Sequence, residues 1–275
     1  MSDWLQHESM IRLGCFCSVL LVMMLWEWRQ PRRVLSLPRA QRWPANLGII
    51  VVDNLIVRLL FPILAVGMAE LVQARGWGLL QLLAVPTPLA ILIALLLLDL
   101  IVYVQHVAFH RLPLLWRLHR MHHSDTDFDV STALRFHPLE IMLSLLIKLA
   151  AVLLLGAPPL AVLLFELILN ASAMFNHGNV RLPERLDRGL RWIVVTPDMH
   201  RVHHSVHREE TDSNFGFSLS CWDRLFGSYR AQPRDGHEGM RIGLEYFRDA
   251  RAGRLDRLLL QPFLDPDLRR TEEPS

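Results

Sequence analysis

The chain has 275 residues, 52% of them hydrophobic, and its 29 Lys and Arg against 27 Asp and Glu leave a net charge of +2. That apolar share and a mean hydropathy of +0.25 exceed what an ordinary soluble domain carries, so the composition points to a membrane protein. The charge gives no sign of a nucleic-acid partner, and Cys15, Cys17 and Cys221, with no CxxC, support neither a disulfide scaffold nor a thiolate metal site.

Ile11 to Trp28 is apolar apart from Arg12 and Glu27 and long enough for a first membrane span. It lacks an A-x-A-like cleavage site and reads as a retained anchor. The next segment, 29–42, holds Arg29, Arg32, Arg33, Arg39 and Arg42 without an acid, which by the positive-inside rule places it in the cytoplasm. Asn46 to Val72 reads as a second span carrying Asp53, Asn54 and Arg58, expected to pair with one another inside the bundle. A loop with Gly76, Gly78, Pro86 and Pro88 then leads to a third span from Leu89, which returns the chain to the cytoplasmic side at His106.

The stretch that follows organises the rest. His106 and His110 are four residues apart, on one face of that third helix, with Tyr103 and Asp99 further back on the same face. His119, His122 and His123 stand at i, i+3 and i+4, which on a helix is expected to aim the three rings to one side, and His200, His203 and His204 repeat the spacing. Imidazole is the commonest side-chain metal ligand, and eight of them exceed the needs of one ion, so two metals are expected. Asp99, seven residues before His106, is expected to orient a ligand imidazole or to bond a metal-bound water.

Between the clusters, Leu139–Leu155 and Leu160–Phe175 are two apolar arms around Gly156-Ala-Pro-Pro159, each at the lower limit for crossing a bilayer, which reads as a re-entrant or short helical hairpin. Glu166, Asn170 and His177 share a face of the second arm, expected to point toward the metal site or a cavity above it, or else to form a packing network. Thr196-Pro197-Asp198 is a helix start with Thr as N-cap, putting the last histidine cluster in the first turns. The tail carries an amphipathic helix around Leu255–Leu260 and then reads as disorder. His7, His207 and His237 stand outside the boxes and read as ordinary polar residues.

The run HVAFH, HRMHH, NHGN, TPDMHRVHHS and NFGFSLSCWDRLFGSY, in that order, resembles the fatty acid hydroxylase/sterol desaturase superfamily of membrane histidine-box di-iron oxygenases. The resemblance covers about Asp99 to Tyr229. It implies an all-α integral membrane bundle, about three full spans plus the hairpin, under a cytosolic histidine-rich helical cap. The division would be 1–110 for N-terminal spans, 111–138 for the first part of the cap, 139–176 for the hairpin and 177–275 for the rest of the cap and the tail. It implies as metal ligands the eight box histidines together with His177 of NHGN and His137 of RFHPLE. Relatives often carry a second histidine just after NHGN, where Val180 and Arg181 stand here.

The implied cofactor is a pair of iron ions, replaceable by zinc on overproduction. The implied reaction is O2-dependent hydroxylation of a lipid or fatty acyl chain, with desaturation or ether-lipid oxygenation as alternatives on the same site. The chain has no GxGxxG and no cysteine set for an iron-sulfur cluster, so electrons are expected from a separate reductase with a ferredoxin or cytochrome b5-like carrier. Histidines gathered on one side of the bilayer argue against a transporter. The expected location is a bacterial inner membrane with the metal site facing the cytoplasm.

Overall fold

A computed structural model describes residues 7–249 and 253–265 of the chain, and among these all regular structure is helical. The stem begins with α1 (Glu8–Arg29), α2 (Arg39–Leu60), α3 (Ala65–Arg75), the short α4 (Leu79–Leu82) and α5 (Thr87–Arg111). Next come α6 (Pro113–His123), then α7 (Pro138–Leu155) and α8 (Pro159–Asn176). The part beyond holds only short helices, among them α9 (Glu184–Leu190), α10 (Pro197–His203), α11 (Arg208–Thr211), α12 (Cys221–Leu225), α13 (Gly236–Gly239) and α14 (Leu255–Leu260). Five helical elements are long and apolar enough to cross a membrane: α1, the broken α2–α4 run, α5, α7 and α8.

The second expected span is not one helix. It stops at Leu60 because Pro62 disfavours helical geometry in the residue before it, and Phe61 is extended (φ −112°, ψ 107°). Asp53 and Arg58 do not pair. Five residues along a helix turn through about 140° beyond a full turn, so Asp53 is buried while Arg58 is exposed, and among the described residues no ion pair joins Arg58.

Proline also ends α5. Pro113 forces Leu112 out of helical geometry (ψ 118°) and opens α6 as its first residue, so the two histidine-bearing helices meet at a corner of one residue. The hairpin of α7 and α8 turns on Gly156 (φ +70°), whose backbone sits so close to Gly78 (φ +86°) that a Cβ on Gly78 would lie 2.2 Å from the Gly156 nitrogen. This contact docks the hairpin tip on the α3–α4 loop. An apolar core of α3, α5, α7 and α8 side chains, including Ala69, Ala94, Val152 and Val162, fills the stem.

The polar face of α8 divides. Glu166 pairs with Lys148 of α7 at 2.6 Å and with Arg12 of α1, and Asn170 is exposed, so of the expected stripe only His177 reaches the histidine cluster. In the basic segment, Arg42 is not a free cytoplasmic charge but a buried residue of α2. Its guanidinium donates to Asp125 at 2.7 Å and Asp129 at 2.8 Å, pinning α2 to the loop after α6. The tail helix Leu255–Leu260 forms as expected, and residues 266–275 lie outside the described residues.

Candidate metal centre

Nine of the ten proposed ligands converge, all buried, in two adjoining groups. His106, His110, His119, His123 and His203 form one; His122, His177, His200 and His204 form the other, with ligand atoms in each group within 4.8 Å of one another. Each HxxHH box is therefore shared between the groups instead of serving one. On a helix, positions i and i+4 differ by about 40° while i+3 lies about 60° to the other side. His119 and His123 thus enter the first group and His122 the second, whereas His200 and His204 enter the second and His203 the first. The two boxes interlock.

Ring nitrogens are aimed by hydrogen bonds on their far sides. The Nδ1–H of His106 donates to the Phe215 carbonyl at 2.8 Å, that of His203 to Ser213 at 2.7 Å, that of His177 to Ala173 at 2.7 Å and that of His122 to Arg135 at 3.2 Å. His119 donates to a carboxylate, Glu140 Oε1, at 2.7 Å. A proton held at Nδ1 leaves Nε2 bare and ready to ligate. The bare atoms then face each other: His106 Nε2 lies 3.1 Å from His203 Nε2 and 3.2 Å from His119 Nε2, and His177 Nε2 lies 3.1 Å from both His122 and His200. Imidazole nitrogens about 2.0–2.1 Å from a shared metal would stand about 2.9–3.4 Å apart for right-angled to tetrahedral geometry. The donor set fits a metal in each group.

Burial holds six of these rings uncharged near neutral pH. Loss of solvation pushes His177 down to about 4 and His203 to about 3 from an ordinary 6.5, and holds His122, His123, His200 and His204 well below it, with repulsion from neighbouring imidazoles adding to the effect in these four. Neutral imidazole is the form that binds metal.

Two expected site residues lie apart from the two groups. His137 belongs to neither group: its Nδ1 accepts from the Leu139 backbone as the N-cap of α7, and its Nε2 bonds the Leu259 carbonyl of the tail at 3.1 Å. Both nitrogens are thereby used, because the proline of His-Pro starts a helix and puts the histidine at its cap. Asp99 meets no ligand imidazole; its Oδ2 accepts from the Trp222 indole at 2.8 Å and from the Leu219 backbone at 3.3 Å. Beyond the boxes, His207 bonds Asp235 at 2.9 Å, and His237, read as an ordinary polar residue, is buried with its Nε2 3.7 Å from Asp198.

Sequence reading missed the residues that hold the ligands. Glu140 stands three residues after His137, in the first turn of α7, and accepts from His119. Asp212 stands 3.4 Å from His110 Nδ1. In the NFGF segment, Asn214 takes a left-handed conformation (φ +51°); its side-chain N–H groups donate to the Met199 and Arg230 carbonyls and its oxygen accepts from the Arg230 N–H. Asp223 of the WDRLFGSY run accepts from the Phe215 and Gly216 backbones at 2.7 and 2.8 Å. That closing motif therefore shapes the loop whose carbonyls aim His106 and His203. The shared presence of Asn, Gly and Asp in one aperiodic segment was the available signal.

The family model described as fatty acid hydroxylase matches residues 91–228. The chain is 30% identical over 149 residues to ornithine lipid hydroxylase OlsE of Rhizobium tropici, covering 54% of this chain and 44% of that protein. It is 31% identical over 132 residues to human alkylglycerol monooxygenase, covering 46% and 27% of the two chains. It is 28% identical over 144 residues to human cholesterol 25-hydroxylase, covering 51% of each. The chain thus spans about half or less of the length of these relatives. No solved structure matches it.

Proposed function

The chain belongs to the fatty acid hydroxylase family, and on that premise we propose that it is a membrane-bound di-iron oxygenase that hydroxylates a lipid or fatty acyl chain with O2. The observation that carries this reading is the pair of abutting, buried imidazole groups beside the ends of helices apolar enough to span a bilayer. Five and four nitrogens suit two ions, each with room left for an exogenous ligand, and are too many for one. His106, His110, His119, His123 and His203 would hold one iron, and His122, His177, His200 and His204 the other. When bound, the irons supply the redox chemistry for splitting O2 and breaking an unactivated C–H bond.

The chain's own residues do the rest. Backbone carbonyls and Glu140 hold the Nδ1 proton of His106, His119, His122, His177 and His203, so their Nε2 atoms stay bare, and burial of all nine rings keeps bulk water from the reacting centre. The stem brings a lipid to the site without leaving the membrane. Electrons come from a separate protein. Arg29, Arg32, Arg33 and Arg39 of the first loop, with Arg111 and Arg117 beside the first boxes, support a cytoplasmic site in a bacterial inner membrane. OlsE and alkylglycerol monooxygenase, one a hydroxylase and one an oxygenase of alkylglycerols by name, support a lipid as substrate.

Lipid extracts from cells carrying the parental chain, compared by mass with extracts from cells carrying His203→Ala, test this. A species heavier by one oxygen is expected with the parental chain and with His137→Ala, and not with His203→Ala. Loss of two hydrogens would mark desaturation instead. Fully loaded protein with one metal per chain, or product from His203→Ala, would overturn the di-iron reading.

A further inference from the structure

The segments 189–195 and 218–226 lie in the part of the chain that is polar by composition, yet they present apolar side chains outward. Trp192 and Ile193 are each 66% exposed, Leu225 68% and Phe226 56%. The two segments form one lobe. Val194 and Leu219 pair as an isolated bridge, the Val195 N–H donates to Ser218 at 3.0 Å, and the Ser220 N–H donates to Ile193 at 3.1 Å.

The lobe is fastened at a telling height. Asp99 is the midpoint of α5, twelve residues from Thr87 and twelve from Arg111, or about 18 Å from either end at 1.5 Å per residue. Both the Leu219 backbone and the Trp222 indole bond Asp99 there. One turn nearer Arg111, Phe226 stacks on Tyr103 with ring centres 5.3 Å apart, and the Tyr103 hydroxyl bonds Ser228 at 2.8 Å. On the same helix Leu96 and Val104 are exposed, as lipid-facing residues of a span are.

From this we infer that the lobe does not sit above the membrane but is sunk in it, with Trp192, Ile193, Leu225 and Phe226 against the acyl chains of the leaflet nearest the metal centre. Irregular backbone at membrane depth requires its polar groups to be satisfied within the protein. Much of the lobe's backbone meets this: besides the bonds above, Trp192 N–H donates to Gly189 and Ile193 and Val194 N–H to Leu190, while the Ser220 hydroxyl donates to Arg191. Of the lobe's two guanidiniums, Arg191 pairs with Asp187 at 2.6 Å, and Arg224 is covered by the Trp192 ring at 4.2 Å and the Tyr229 ring at 3.9 Å, an arrangement suited to an aromatic interface belt. The loop that supplies the lobe also supplies the carbonyls that aim His106 and His203, so the lipid-contacting surface and the metal centre share one piece of chain. The inference rests on α5 being a span.

The test is spin-label accessibility in lipid nanodiscs on full-length protein with Cys15, Cys17 and Cys221 changed to serine. Labels go on Ile193→Cys and Leu225→Cys, on Leu96→Cys as a span reference and on Arg188→Cys as an aqueous reference. Labels at 193 and 225 should be relaxed by dissolved O2 and shielded from a water-soluble nickel chelate, as at 96 and opposite to 188. Relaxation by the chelate at 193 and 225 with 96 shielded overturns the lobe inference alone; chelate access at 96 overturns the span reading and the inference with it. As a measurement without a label, the emission lost in Trp192→Phe should be emission that dibrominated phosphatidylcholine quenches in the parental protein. An unquenched Trp192 component overturns the inference.

Discussion

On the two-metal reading proposed above, replacing Glu140 by alanine should weaken metal binding in the His119 group and leave the His122 group as it is. Glu140 is 4% exposed, and its Oε1 takes the Nδ1 proton of His119 at 2.7 Å, a bond that fixes both the tautomer and the direction of that ring. Loss of such a partner costs about 10–100-fold in metal affinity, or about 1.4–2.8 kcal/mol. The effect should stay local, because the aimed rings of the His122 group donate to the carbonyls of Arg135 and Ala173 and not to Glu140. The assay is metal retention per chain against rising chelator. Parental protein should release two metals late; Glu140→Ala should release one at about 10–100-fold lower chelator and the second on the parental curve. Glu140→Gln should fall between, since its amide oxygen still accepts the Nδ1–H. Release of both metals from Glu140→Ala on the parental curve, or of both together early, would refute the local orienting role.

Three further outcomes are expected. Asp99→Ala strands the Trp222 indole and the Leu219 N–H at about 1–3 kcal/mol each and should lower the thermal midpoint by about 2–4 °C per kcal/mol with metal content intact; metal loss equal to that of His203→Ala would restore Asp99 to a ligand-orienting role. Metal-stripped protein should be most stable at pH 7 and above and lose stability on acidification. Below 6.5 the unfolded histidines take up protons that the folded ones, at about 4 for His177 and about 3 for His203, refuse; a thermal midpoint unchanged from pH 7 to about 4.5 would contradict this. Reporter fusions after Arg42 and after Arg230 should both read cytoplasm and one near Gly78 the outside, and opposite readings for the first two would dismantle the topology.

Local chemistry in the sequence was enough to find most of the apolar helices, the helix start at Thr196 and the histidines that gather into one cluster. Apolar runs need no partner to be read, Thr196-Pro197 starts a helix wherever it lies, and the eight box histidines stand at spacings that a helix turns into faces. What a helix face meets is a different matter, because it depends on which distant helix docks against it. The interlocking of the two HxxHH boxes followed from α6 and α10 facing each other, which neither spacing alone contains. The same holds for His137, whose nitrogens are claimed by its own helix start and by the tail, and for Asp99, whose partner lies 123 residues away. Arg42 looked like a topogenic charge until Asp125 and Asp129 came to it across the fold. The depth of the lobe is the extreme case: its sequence reads as polar cap, and only its bonds to the midpoint of α5 place its apolar side chains at the level of the lipid.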